Sequence, residues 1–247
     1  MLGALKRKIL DLPFVLRITE PMSWQRLCQE RNVFLYAGDL PPNLKQYTTH
    51  VGLTPFKYSK RTIRHDILNE FPISSNVVDI FQSEDVFEHI PYQSLPSVFE
   101  EIYRILKPGG LFRLSLPDYR FDVYTNRSLK DSSGKIVFDP GGGGRLRDGK
   151  VVGGGHLWFP KLELVDSLFE KSSFARSGRY EILHATQADG SLLLSAVDYR
   201  LGMIQRTPDH DARGQMPRRP ISIIVDAWKG EPNAARLLSS MQCIKRR

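Results

Sequence analysis

Residues 77–120 read VVDIFQSEDVFEHIPYQSLPSVFEEIYRILKPGGLFRLSLPDYR, and they decide the fold. Residues 77–81 are a short apolar run, as expected of a strand covered on both faces. An acidic turn, Ser83-Glu84-Asp85, follows. From Leu95 onward Val98, Phe99, Ile102, Ile105 and Leu106 recur at helical spacing and form one apolar face. Ser94 and Pro96 suit a helix start, and Lys107-Pro108-Gly109-Gly110 supplies a cation and glycines that suit its stop. Residues 111–116 form a second apolar run that leaves through Pro117-Asp118. Strand, helix and strand in that order predict two parallel strands joined by a crossover.

Working outward, residues 33–37, 48–53 and 62–67 are earlier candidate strands, joined by connections too short for full helices. Residues 1–31 suggest a helical extension, with Ser23 as the N-cap of its second helix. Beyond Arg120, residues 121–159 form a glycine-rich excursion carrying Gly141–Gly144 and Gly153–Gly155, expected to be a flexible lid. Residues 160–171 predict a helix with Pro160 in its first turn. Residues 180–185 and 191–196 predict paired strands around Asp189-Gly190, 199–220 a polar loop, and 221–228 a last buried strand. The expected organisation is an extension over 1–31, a main domain over 32–230 and a basic helical tail over 231–247.

Bulk properties narrow the function. The 247 residues suffice for one large core, and 41% hydrophobic with 25% charged residues is ordinary for a soluble globular chain. The net charge of +8 comes from scattered basic clusters without interleaved aromatics, so no nucleic-acid partner is expected. Cys28 and Cys243 are the two cysteines, which provides neither a disulfide framework nor a cysteine zinc site and fits a cytoplasmic setting. No run is apolar and long enough for a membrane span. His50, His65, His89, His156, His184 and His210 show no metal-ligand spacing, so no metal is expected. The glycine clusters lack a Gly-Lys-Ser/Thr ending, which argues against a nucleotide triphosphate site. Oligomeric state, a homo-oligomer included, is left open.

The strand order, together with DIFQSEDVFEHI and ILKPGGLFRLSLPD, resembles the class I S-adenosylmethionine-dependent methyltransferases, in particular the type associated with polysaccharide biosynthesis. The resemblance covers about residues 33–228, including GMIQRTPD and SIIVDA near its end. It implies a Rossmann-like, mostly parallel α/β sheet with a late antiparallel strand and helices on both faces. It also implies S-adenosylmethionine as cofactor, and a small-molecule or glycan acceptor methylated on oxygen.

Position by position, the resemblance puts the cofactor's methionine end near Gly38 and Asp39. Asp66 and Ile67 fall at the adenine, and Ser83, Glu84 and Asp85 beneath the cofactor. The chain departs from the family pattern at Tyr36, where a small residue is usual, and at Gly52, near which an acid normally holds the ribose.

Methyl transfer needs an aligned acceptor and often a base. His156, after a triple glycine, and Asp118, at the strand exit, are the candidate catalytic residues; each also has a plain structural reading, as a packed histidine and as an N-cap. Tyr119, Arg120 and Trp158 are candidates for holding the acceptor, with Arg120 equally able to pair on the surface, and His89 suggests a buttress of its turn. Two other readings stay open: a methyltransferase-like binding protein whose cofactor turn is closed by Tyr36, and an RNA or protein methyltransferase.

Overall fold

The protein is described as a computed structural model covering residues 21–38, 40, 50–56 and 59–244, with side chains through Met241. Asp39, the connection at 44–47 and most of the 1–31 extension lie outside the described residues. Eight strands form the central sheet: β1 Phe34–Ala37, β2 His50–Thr54, β3 Thr62–Arg64, β4 Val78–Glu84, β5 Leu106–Pro117, β10 Arg179–Thr186, β11 Leu192–Leu194 and β12 Ser222–Trp228. Their order is β11-β10-β12-β5-β4-β1-β2-β3. Strands β1 to β5 pair in parallel, β12 runs antiparallel between β5 and β10, and β11 closes the edge antiparallel to β10. This is the expected Rossmann-like architecture.

Alternation along the inner strands feeds two cores. Phe81, Phe112 and Leu114 face one side, where Val98, Phe99 and Ile102 of the helix Leu95–Ile105 pack with Phe169 and Phe174. Ile80, Leu111 and Phe34 face the other, under Leu237 of the helix Ala234–Ile244. Trp24–Leu27 is helical with Ser23 as its N-cap, as expected.

Two expectations are corrected. The Lys107–Gly110 run does not cap the helix; Leu106 is already extended and opens β5. Gly109 is needed there because its φ is +71° and a Cβ would lie 2.8 Å from that of Asn233; its N–H donates to Lys229 O at 2.7 Å, tying the start of β5 to the end of β12. The glycine-rich excursion is also not a bare lid. It holds the helix Asp122–Arg127 and two ribbons, β6 Leu129–Lys130 with β7 Ile136–Phe138, and β8 Arg145–Arg147 with β9 Lys150–Val152. Its glycines allow close packing: a Cβ on Gly142 would lie 2.6 Å from the His156 ring, and one on Gly144 would lie 2.6 Å from Gly155 N. Contact excludes a side chain at these two positions.

Candidate functional site

Strand order reverses between β1 and β4, and the crevice at the carboxyl ends of such strands is where doubly wound sheets bind ligands. A cavity of about 350 Å³ lies there, lined by Tyr36 of β1, Glu84 and Asp85 at the exit of β4, and Arg206, Asp211 and Arg213 of the 199–220 loop. The loop is delivered by a buried cation. Arg113 on β5 makes a bidentate pair with Asp226 at 2.8 and 2.6 Å and donates to Gly202 O at 2.6 Å. Gln205 and Arg206 thereby reach β4, where their backbone N–H groups donate to Glu84 Oε1 at 2.9 and 2.8 Å.

The Arg206 guanidinium pairs with Asp85 at 2.6 Å. Burial, with the Asp85 charge adding to it, pushes the Glu84 carboxyl up to about 7. Burial likewise raises Asp85 to about 6 against the pull of Arg206. Asp85 Oδ1 is buried without a hydrogen-bond partner.

The rest of the expected cofactor set is mixed. Gly38 ends β1 at φ +106°, its N–H donating to Leu53 O at 2.7 Å, and a Cβ there would stand 3.1 Å from Val86. Ser83 is fully buried, and its Oγ lacks a partner. Asp66 is exposed and accepts Leu68 N–H at 3.1 Å, capping its own turn. Ile67 belongs to the hydrophobic core, so its side chain contributes packing where a cofactor contact was expected.

The second cluster surrounds His156. Asp139 is held by Arg127 through two hydrogen bonds of 2.7 and 2.6 Å and accepts from Tyr119 OH at 2.6 Å. A phenol has one hydrogen. With that hydrogen given to the Asp139 carboxylate, the 2.5 Å contact of Tyr119 OH with His156 Nδ1 is a donation from the ring N–H. His156 Nε2 then faces Glu88 Oε1 across 3.5 Å. Burial, with the His89 ring alongside, lowers His156 to about 4, so the imidazole is neutral at physiological pH. Burial pushes Glu88 well up, and neither of its carboxylate oxygens has a hydrogen-bond partner. Tyr119 also lines a larger cavity of about 770 Å³ with Trp158, Phe159, Lys130, Lys135 and Lys161.

The geometry bears on three expected roles. Asp118 is fully buried, and its oxygens accept the backbone N–H of Arg120 at 2.9 Å and Thr186 at 2.7 Å. It is a bracket between β5 and β10, each of its oxygens accepting a backbone amide. Arg120 pairs with Glu163 on the surface at 2.9 Å. Trp158 lines the larger cavity, but its Nε1–H is spent on Phe87 O at 2.9 Å.

The sequence reading missed Glu88, Asp139, Arg127 and Arg206. Glu88 stood inside the quoted FEHI and Arg206 inside GMIQRTPD. Asp139 precedes Pro140-Gly141, where it caps the turn by accepting Gly141 N–H at 2.8 Å.

The strand order and the switch-point crevice define a Rossmann-like, doubly wound sheet with an antiparallel strand, β12, inserted beside β5. In sequence, residues 24–114 match the family model described as a methyltransferase domain. A probable S-adenosylmethionine-dependent methyltransferase of Mycolicibacterium smegmatis is 36% identical over 62 residues, which cover 25% of this chain and 23% of that protein. The match thus spans about a quarter of that relative's length. Among solved structures, an S-adenosylmethionine-dependent methyltransferase from Clostridium acetobutylicum aligns at TM-score 0.46 and 12% identity, covering 94% of this chain and 100% of that one. Another, from Methanosarcina mazei, aligns at TM-score 0.44 and 11% identity over 83% and 96% of the two chains.

Proposed function

We propose that the protein is an S-adenosylmethionine-dependent methyltransferase that methylates a hydroxyl of an anionic sugar or glycan precursor. The observation that carries the reading is the polar cavity at the β1/β4 switch point. Its residues fit the cofactor: Arg206 and Arg213 can meet a carboxylate, and Asp85, whose Oδ1 has no partner, can accept from an ammonium or hydroxyl. Bare backbone at Gly38 permits close approach at the end of β1. When bound, the cofactor supplies an electrophilic methyl group on a sulfonium.

The chain's own residues do the rest. Tyr119, Trp158 and Phe159 give the larger cavity aromatic walls suited to a sugar ring, and Lys130, Lys135 and Lys161 give it cationic groups suited to a phosphate or carboxylate. Asp85 belongs to the first cavity and interacts electrostatically with Glu88, which faces His156. Tyr119 links His156 to the second cavity. The Glu88–His156 cluster is thereby linked to both cavities without lining either, and we assign His156 to position the acceptor through Tyr119.

The test is transfer of labelled methyl to a panel of neutral and phosphorylated sugars. Phosphorylated acceptors should be preferred, and Lys130→Ala with Lys135→Ala should raise KM for them more than it lowers kcat. Transfer to an RNA or peptide instead would overturn the acceptor assignment. Failure to bind S-adenosylhomocysteine would overturn the enzyme reading itself.

A further inference from the structure

Glu88 and His89 are neighbours in the turn Phe87–His89, directly after the exit of β4. His156 arrives from the far side of the glycine-rich excursion. It is set against them by Leu157 N–H donating to Glu88 O at 2.8 Å and by Trp158 Nε1–H donating to Phe87 O at 2.9 Å. Each of the three offers one donor atom, and these atoms lie within 4.8 Å of one another. Methyl transfer from a sulfonium does not in itself call for such a convergence.

Three features of the cluster point to a cation. The first is spacing. At 3.5 Å, His156 Nε2 and Glu88 Oε1 are too far apart for a good hydrogen bond. Two ligand atoms each about 2.1 Å from a tetrahedral zinc stand about 3.4 Å apart. The second is the unpartnered carboxylate. Glu88 is fully buried, with both oxygens lacking hydrogen bonds, which is costly unless a positive partner is present.

The third feature is the support behind the imidazole. Nδ1–H donates to Tyr119, which donates to Asp139, which is clamped by Arg127. That chain fixes the tautomer with the Nε2 lone pair aimed at Glu88, as the outer shell of a metal-binding histidine does. Distance along the chain concealed the arrangement, since His89 and His156 share no ligand spacing in sequence.

We propose that Glu88, His89 and His156 bind one divalent transition-metal ion. Zinc suits two imidazoles and a carboxylate, of which the Glu88–His156 pair already stands at tetrahedral spacing, and the fourth position is left for water or an acceptor oxygen. The ion binds the His156 Nε2 lone pair, which the Nδ1–H donation to Tyr119 leaves free. The site goes beyond methyl transfer and is read without cofactor or acceptor, so the two proposals fail separately.

The experiment strips the full chain with a chelator and titrates it with zinc against a chromophoric competitor. Cobalt substitution reports the geometry. One zinc per chain, a rise in melting temperature and the visible bands of tetrahedral cobalt are expected. His89→Ala and Glu88→Gln should each weaken binding by about tenfold or more, and Tyr119→Phe, which keeps all three ligands, by about tenfold. His89 is only half-buried, so His89→Ala keeps the test independent of folding. Two results would overturn the site: no stoichiometric zinc at micromolar free metal, or an affinity unchanged in both His89→Ala and Glu88→Gln.

Discussion

Two buried carboxylates stand at neighbouring strand exits, Asp118 after β5 and Glu88 after β4, and they are opposites. Asp118 is satisfied by the amides of Arg120 and Thr186, and its job is to join β5 to β10. Glu88 is as deeply buried, yet neither oxygen has a hydrogen-bond partner, and two imidazoles surround it. A carboxylate whose lone pairs are used by its own backbone builds the fold. One whose lone pairs are left over is available to a ligand. Both are acidic residues near strand ends, of which the sequence reading singled out only Asp118, and only their partners separate the two roles.

The contrast breaks most visibly under truncation. Asp118→Ala leaves the part-buried amides of Arg120 and Thr186 without their acceptor and should cost about 3 kcal/mol in urea unfolding. Glu88→Gln in metal-free protein should change stability by less than about 1 kcal/mol, since an isosteric amide replaces a carboxyl that has no hydrogen bond to lose. Equal losses in the two variants would erase the distinction. Gly142→Ala comes next. Its Cβ would press on the His156 ring at 2.6 Å, and about 2 kcal/mol of overpacking is expected, with metal affinity falling alongside.

The switch-point cavity sharpens the comparison through pH. Glu84 is raised in the fold from 4.5 to about 7. Its contribution to stability is therefore fully present below pH 4.5 and is lost as pH rises through 7. Glu84→Gln should match the native chain near pH 4.5 and exceed it by up to about 3 kcal/mol above pH 8 in thermal unfolding. A gain at low pH would contradict the assignment. The smallest effect is expected for Arg120→Ala, which removes an exposed pair with Glu163 and should cost no more than about 0.5 kcal/mol.

Sequence and structure agree best where the signal is local. Apolar periodicity in residues 77–120 fixed the strand–helix–strand unit, and turn residues at 189–190 fixed the β10–β11 pair. Local composition misled at Lys107–Gly110, where a cap signature serves a strand tied to Lys229, and in the glycine clusters, where small size serves packing. The site was half legible. Glu84, Asp85 and His156 stood out by position. Arg206 and Asp139 did not, because their value comes from pairing with Asp85 and Tyr119 across long stretches of chain. Asp118 drew attention for its position and turned out to be spent on amides.

The central claim is that the β1/β4 cavity holds S-adenosylmethionine through Asp85 and Arg206. Calorimetric titration with S-adenosylhomocysteine tests it directly, on the native chain and on Asp85→Asn. The account predicts one site per chain, weakened by about tenfold or more in the variant, as loss of a charged hydrogen-bond acceptor implies. No heat and no change in melting temperature at millimolar ligand would contradict it.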